Sequence, residues 1–359
     1  GIKRMTLEET ICQIHPADRA TEERAWQRWD CIAKPLRGLG LLEEAIARIA
    51  GMTRTVEVDL SRRAVVVFCA DNGVVEERVT QTGQEVTAVV TENLSKGDTS
   101  VCKMARVAHA EVFPVDIGVA REVSGERIIR RKIAYGTKNM TKGPAMTKEE
   151  AVRALEVGIE LAQSLKQQGY RILATGEMGI GNTTTSSAVA SVLLGLPPEK
   201  VAGRGAGLSS AGLERKREAI RRAIARNSPD PIDALDVLQK VGGLDLAGMA
   251  GTFLGAAAVR MPVLIDGFIS ASAALLAARI CPAAREYMVA SHVSGEPAAH
   301  WILQELELKP FLTADMTLGE GTGAVAYLPI LEMAAEVYRK MSTFSDNKIE
   351  DYKELGEES

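Results

Sequence analysis

The sequence predicts a large α/β domain, a parallel sheet covered by helices on both faces, with an accessory lobe. Three observations carry this. At 359 residues the chain exceeds what one small core uses. Its first fifty residues hold only helical patterns. From residue 64, short continuously apolar runs alternate with amphipathic ones, the pattern of strands buried on both faces between crossover helices.

Taken in order, LEETICQIH, ATEERAWQRWDCIA and LLEEAIARIAGM read as the opening helices, the second ended by Lys34–Pro35 and the third by Gly51. Strands are predicted at AVVVFCA (64–70), AEVFPVDIGV (110–119), YRILATG (170–176), MPVLIDG (261–267) and REYMVAS (285–291). Between them, residues 147–169 form a helix that Thr147 and Glu150 open as a capping box and Gly169 stops. Further helices are predicted over 214–227 and 231–243. Few aromatics and many alanines and glycines imply close packing of helices on the sheet. The tail from about residue 342 is polar enough to fray.

Composition excludes several functions. A net charge of −4 with scattered basic residues gives no footprint for nucleic acid. Five cysteines, an odd number without CxxC spacing, argue against a disulfide framework or zinc knuckle and for mostly buried thiols in a reducing cytoplasm. The four histidines include no HExxH, so no metal site is expected, and no apolar run reaches the roughly 18 residues that span a membrane. Gly1 in place of Met is read as an expression scar or a processed start and left aside.

In a parallel sheet, ligands sit beyond the carboxyl ends of the strands, so chemistry is sought in the loops that follow them. The strongest local signal is ATGEMGIGNTTTSSAVA (174–190): strand, glycine-rich turn, then a helix entered through Asn182 and the threonines. Glycines let backbone N–H groups approach an anion and the helix N-terminus adds its dipole, so Gly176, Gly179, Gly181, Asn182 and Thr183 are expected at a phosphate seat. Thr175–Gly181 also imitates the TGxxxGxG turn of short-chain dehydrogenases. It is one residue short, lies mid-chain, has Glu177 beside the incoming phosphate and is followed by no YxxxK. VAGRGAGLSSAGLERKREAI (201–220) repeats the glycine design at Gly203 and Gly205 before a helix carrying Lys216, a point charge suited to phosphate. Asp71-Asn72-Gly73, Asp266-Gly267 and Ser291-His292-Val293-Ser294 read singly as turns. In TLGEGTGAVAYLPI (317–330), Glu320 stands among glycines that a solvated carboxylate does not need.

In order along the chain, KPLRGLGLLE (34–43), CADNGV (69–74), GEMGIGNTTTSSA (176–188), KVGGLDLAGMAG (240–251), DGFISASAA (266–274), SHVSGE (291–296) and LGEGTGA (318–324) resemble the motifs of the nicotinate-nucleotide:dimethylbenzimidazole phosphoribosyltransferase family. The resemblance implies a Rossmann-like domain at 61–310. It also implies a small helical lobe that takes in residues 1–60, with an active-site loop and returning helix at 311–341 and a polar tail at 342–359. It implies a dimer, no cofactor, and transfer of the phosphoribosyl group of nicotinate mononucleotide to a cobamide lower-ligand base such as 5,6-dimethylbenzimidazole. Nicotinate is released and an α-riboside phosphate formed. On the same basis Glu320 is the general base and Glu177 and Lys216 are further active-site charges. Gly179, Ser294, Leu318 and Gly319 fall on the nucleotide site, and Thr82 and Val90 on the acceptor side. The glycines around Glu320 would then let a flat acceptor lie against backbone.

The chain departs from the family pattern at Arg37-Gly38 (usually Gly-Ser), Asn72 (usually His), Thr82 (often Ser), Val90 (often Gln) and Ala271 (often aromatic). These departures point to the acceptor side and raise an alternative, activation of phenol or p-cresol as an O-glycosidic ligand, with the chain as one subunit of a heterodimer. A phenol with a pKa of about 10 facing a carboxylate of about 4.3 makes deprotonation uphill by about 6 units unless burial raises the base. A second alternative is a weakly active nucleotide-binding partner chain.

Overall fold

A computed structural model describes residues 4–205 and 207–348. In chain order the elements are α1 (Leu7–Gln13), α2 (Arg19–Cys31), α3 (Leu41–Thr53), β1 (Arg63–Ala70), α4 (Glu85–Lys96), α5 (Ser100–Val107), β2 (Ala110–Gly118), β3 (Ile129–Arg130), α6 (Lys148–Gln167), β4 (Ile172–Met178) and α7 (Asn182–Leu194). They continue with α8 (Pro198–Val201), α9 (Ser210–Asn227), α10 (Ala234–Val241), α11 (Leu244–Ala258), β5 (Val263–Ile265), α12 (Phe268–Ile280), β6 (Met288–Ala290), α13 (Ala299–Glu305) and α14 (Thr322–Lys340).

The six strands pair in parallel in the order β3-β2-β1-β4-β5-β6. This is the doubly wound order, and its topological switch falls between β1 and β4, where the crevice for a ligand opens. All eight residues of β1 are buried, which is why this strand reads as an unbroken apolar run. The Thr147–Glu150 capping box forms, and Gly169 follows the helix at φ +92°. On one face α6 and α11 touch backbone to backbone: a Cβ at Gly251 would overlap the Leu155 carbonyl, and one at Gly158 the Gly248 carbonyl. The small-residue run AGMAG exists for this approach.

The chain ends meet in a helical lobe. Trp29 of α2 is buried, donates from Nε1 to the Glu43 carbonyl (3.0 Å) and packs on Tyr338 of α14 at a ring separation of 5.0 Å. Within KPLRGLGLLE, Lys34 pairs with the fully buried Glu43 at 2.9 Å, and Glu43 accepts from the Leu39 amide at 2.8 Å. That motif therefore joins α2 to α3. By contrast α1 docks on the large domain, its Leu7 amide donating to Glu156 of α6 (2.9 Å).

Several details differ from the sequence expectation. The two-residue β3 is too short to leave a pattern. α3 runs past Gly51 to Thr53, because Gly51 sits against the Asp18 carbonyl while Arg54 supplies the left-handed cap. Residues 342–348 do not fray: Phe344 is buried, its amide donates to the Cys31 carbonyl (2.9 Å), and Thr343 bridges Ile32. The remainder of the predicted tail, 349–359, lies outside the described residues, as do Gly1 and its neighbours to residue 3. Cys12 and Cys31 are exposed, so the thiols are less uniformly buried than expected. Among the described residues no helix is long and apolar enough to cross a membrane.

Candidate active site

A cavity of about 240 Å³ opens at the carboxyl end of the sheet, beside the β1/β4 switch. Its walls come from residues 79–82, the turn 177–183, Arg204 and Gly205, the start of α12, the 292–296 loop and the 316–319 approach to α14.

The turn after β4 is built by close approach. A Cβ at Gly179 would overlap the Ala70 carbonyl and the Asp245 carboxylate, and Gly181 takes φ +93° to start α7. The Ile180 amide is held by Thr87 Oγ1 (3.1 Å). Asn182 lines the cavity, but its side-chain amide is turned inward, donating to Glu177 (3.2 Å) and Asp245 (3.0 Å). Burial first, then the Asp245 and Asp266 charges, push the Glu177 carboxyl well above the usual carboxylate range. Burial likewise raises Asp245 to about 6, against the pull of the Asn182 amide. A buried carboxyl group of this kind favours the arrival of a cation.

Lys216 is fully buried, not a solvated residue on an exposed helix face. Its ammonium donates to Thr183 Oγ1 (3.0 Å) and to the Gly203 carbonyl (2.8 Å), stitching the second glycine loop to the first turn of α7. Burial pulls its pKa down to about 8.

The Glu320 loop answers why glycines surround it. Gly319, Glu320 and Gly321 are left-handed at φ +84°, +61° and +95°. A Cβ at Gly319 would strike Glu177, one at Gly321 would press on Val65, and one at Gly323 would overlap the His292 ring. Across the contact, a Cβ at Gly176 would lie 2.5 Å from the Glu320 carbonyl oxygen. The glycines therefore seat the loop on β4 and His292, rather than leaving backbone free for an acceptor. Asp266 fixes the seat by accepting from the amides of Gly321 (3.0 Å), Gly323 (2.8 Å) and Ala324 (3.1 Å) at the N-terminus of α14. The Glu320 side chain does not line the cavity. It reaches the first turn of α5, where Thr99 and the Val101 amide favour its charge, while burial, the larger effect, raises its pKa. Its Oε1 is buried without a hydrogen-bond partner among the described residues.

Of the sequence-derived candidates, Glu177, Gly179, Gly181, Asn182, Thr183, Gly205, Ser294, Leu318, Gly319 and Thr82 line the cavity. Gly176, Gly203, Lys216 and Glu320 stand behind that wall and shape it. Val90 on α4 packs against the core without lining the cavity, and Ala271 is buried inside α12. Arg37 lies over Trp26 at 4.9 Å and reaches Asp30 at 3.5 Å on the lobe surface, so the altered N-terminal motif is not part of the cavity wall. Sequence reasoning assigned no site role to Asp245, Asp266, His292, Glu296 or Arg204. All five lie in stretches already singled out, and the available signal was the place of those stretches after strands or beside glycines. Among the described residues, no group of three or more His, Cys, Asp or Glu could hold a metal ion.

The phosphoribosyltransferase family model matches residues 14–349. A nicotinate-nucleotide–dimethylbenzimidazole phosphoribosyltransferase of Clostridium acetobutylicum is 47% identical over 98% of this chain and 100% of its own length. One from Ruminiclostridium cellulolyticum is 48% identical with the same coverage. The crystal structure of CobT from Thermus thermophilus superimposes with a TM-score of 0.88 at 42% identity, covering 92% of this chain and 99% of that one. With the motifs in order, the doubly wound sheet and full-length similarity, this chain belongs to the nicotinate-nucleotide–dimethylbenzimidazole phosphoribosyltransferase family.

Proposed function

We propose that the chain transfers the phosphoribosyl group of nicotinate mononucleotide to 5,6-dimethylbenzimidazole, releasing nicotinate and forming the α-riboside phosphate. The observation that carries this is the full-length similarity to enzymes of that name, with Glu320 next in the chain to a residue of the cavity wall. A benzimidazole attacks through one ring nitrogen and becomes acidic at the other. We assign Glu320, which adjoins the cavity wall from the α5 side, to take that proton, and burial has already raised the carboxylate's basicity.

The C1–N bond of the nucleotide carries a cationic leaving group, so its departure as nicotinate needs no acid. As it breaks, positive charge spreads over the ribose, which the Asp266 carboxylate in the cavity wall stabilises, and the arriving cation favours the ionised form of Glu177 beside it. The lone pair of the acceptor nitrogen enters from the face opposite nicotinate, forming the new C1–N bond and inverting β to α. The proton from the second nitrogen ends on Glu320. The N-terminus of α7, with Gly179, Gly181 and Thr183, would seat the 5′-phosphate, and Lys216 would supply positive charge from behind.

We take 61–310 as the catalytic domain, with the 311–341 segment delivering Glu320 and residues 1–60 bracing it, and expect a dimer. Of the departures that suggested a phenolic acceptor, Arg37, Asn72, Val90 and Ala271 do not line the cavity and Thr82 does, so the choice of benzimidazole rests on the relatives that carry that name. The test is purified protein with nicotinate mononucleotide and either dimethylbenzimidazole or phenol, following nicotinate by chromatography and the anomeric proton by NMR. An α-riboside of benzimidazole is expected. Product with phenol alone would reverse the acceptor assignment, and a β-riboside would exclude the single displacement.

A further inference from the structure

Among the described residues three carboxylates line the cavity, and they are not equally committed. Asp266 has both oxygens occupied by backbone amides at the start of α14. Glu177 gives one oxygen to Asn182 and packs the other against Gly319. Glu296 is different: its Oε2 is buried against Gly203 with no hydrogen-bond partner among the described residues. Its carboxylate lies so close to Gly203 that a Cβ there would overlap it. The Lys216 ammonium, which could have paired with it, is spent on Thr183 and the Gly203 carbonyl.

A carboxylate in a cavity wall that makes no hydrogen bond to the described residues is an acceptor in want of a donor, because leaving it empty forfeits a charge-assisted bond. In a pentose phosphate the neutral donors are the ribose hydroxyls, and they lie within a few bonds of the 5′-phosphate. Glu296 stands where such a group would come. It abuts Gly203, whose carbonyl shares the Lys216 ammonium with Thr183 at the opening turn of α7. The same lysine offsets the repulsion a second anion would meet there.

We propose that Glu296 accepts a hydrogen bond from a ribose hydroxyl of the nucleotide and so orients C1 for attack. This role presupposes the phosphoribosyl transfer proposed above. The test pairs a deletion in the protein with a deletion in the substrate. Wild type, Glu296→Gln and Glu296→Ala are assayed for nicotinate release from nicotinate mononucleotide and from its 2′-deoxy and 3′-deoxy analogues, with dimethylbenzimidazole as acceptor. Calorimetric binding of each nucleotide is measured in parallel.

In wild type, loss of the bonded hydroxyl should lower kcat/KM about 10- to 100-fold. Glu296→Ala should show a similar loss with the intact nucleotide and little further loss when that hydroxyl is removed, with Glu296→Gln between the two. An unchanged thermal midpoint in Glu296→Ala separates this from misfolding; where the midpoint drops, Glu296→Gln carries the comparison. Equal hydroxyl penalties in wild type and both variants would overturn the assignment, as would the absence of any penalty in wild type. If wild type releases no nicotinate from the intact nucleotide, the transfer reaction itself fails, and the calorimetric coupling still decides whether Glu296 meets a hydroxyl.

Discussion

The turn 176–183 and the loop 317–323 stand at the same end of the sheet, and both are rich in glycine, yet they are finished to different degrees. In the first, the functional side chains are spoken for: Asn182 bridges Glu177 and Asp245, and Thr183 receives Lys216. In the second, Glu320 is held at a left-handed φ between two glycines and keeps an oxygen without a partner. A side chain that already has its bonds holds its place whether or not a ligand is bound, which suits the nucleotide side. A buried oxygen without a donor is stabilised when one arrives, which suits the side that must receive an acceptor and its proton. The difference separates positioning from proton transfer.

The contrast breaks most severely if the two regions are pushed apart. Gly176→Ala puts a Cβ 2.5 Å from the Glu320 carbonyl, against its backbone. Overpacking of this kind costs about 1–3 kcal/mol, and a displaced base costs activity by about 100-fold. Calorimetric melting and nicotinate release should fall together; an unaffected variant would mean that the loop does not need β4.

Lys216→Met tests the prearranged side. Nucleotide KM should rise about 10- to 100-fold, while the pH dependence of stability changes in a defined direction. In the fold Lys216 titrates at about 8, against an ordinary 10.5, so between those values the unfolded chain binds more protons. Its contribution therefore makes stability rise with pH across that window, because the penalty for burying the charge is relieved. Urea unfolding from pH 8 to 10.5 should lose that rise in Lys216→Met. An identical slope in both proteins would show that the ammonium is not held as described.

Asp245→Asn should act more gently, because burial is the leading cause of the raised Glu177 pKa and the Asp245 charge comes second. Activity should change less than about 10-fold. The acid limb of the pH–rate profile, where Glu177 contributes, should move to lower pH; a shift upward would contradict the coupling. The smallest effect is expected from Val90→Gln, at a residue of α4 that packs on the core and does not line the cavity. The ratio of benzimidazole to phenol turnover should stay the same, and a changed ratio would return Val90 to the acceptor side.

What the sequence made legible follows the physics of each pattern. Strands buried on both faces leave continuous apolar runs, so the principal strands could be read, whereas the two residues of β3 leave nothing to read. The glycines near Glu320 were visible, but their purpose depends on β4 and His292, which are distant in sequence. Lys216 sits in ERKREAIRRAIARN, a helix so charged that no periodicity marks one lysine as buried; only its neighbours Thr183 and Gly203 do. Arg37 was conspicuous as a departure from a motif, but that motif joins two helices, and its surface position could not be seen without Trp26.

The most direct test of the division between positioning and proton transfer is Glu320→Gln, assayed for nicotinate release with dimethylbenzimidazole and for nucleotide binding by calorimetry. Release should fall about 10²- to 10⁴-fold while affinity for nicotinate mononucleotide stays within a few-fold. Loss of binding together with turnover would contradict the account, making Glu320 part of the scaffold and leaving the acceptor's proton without a destination.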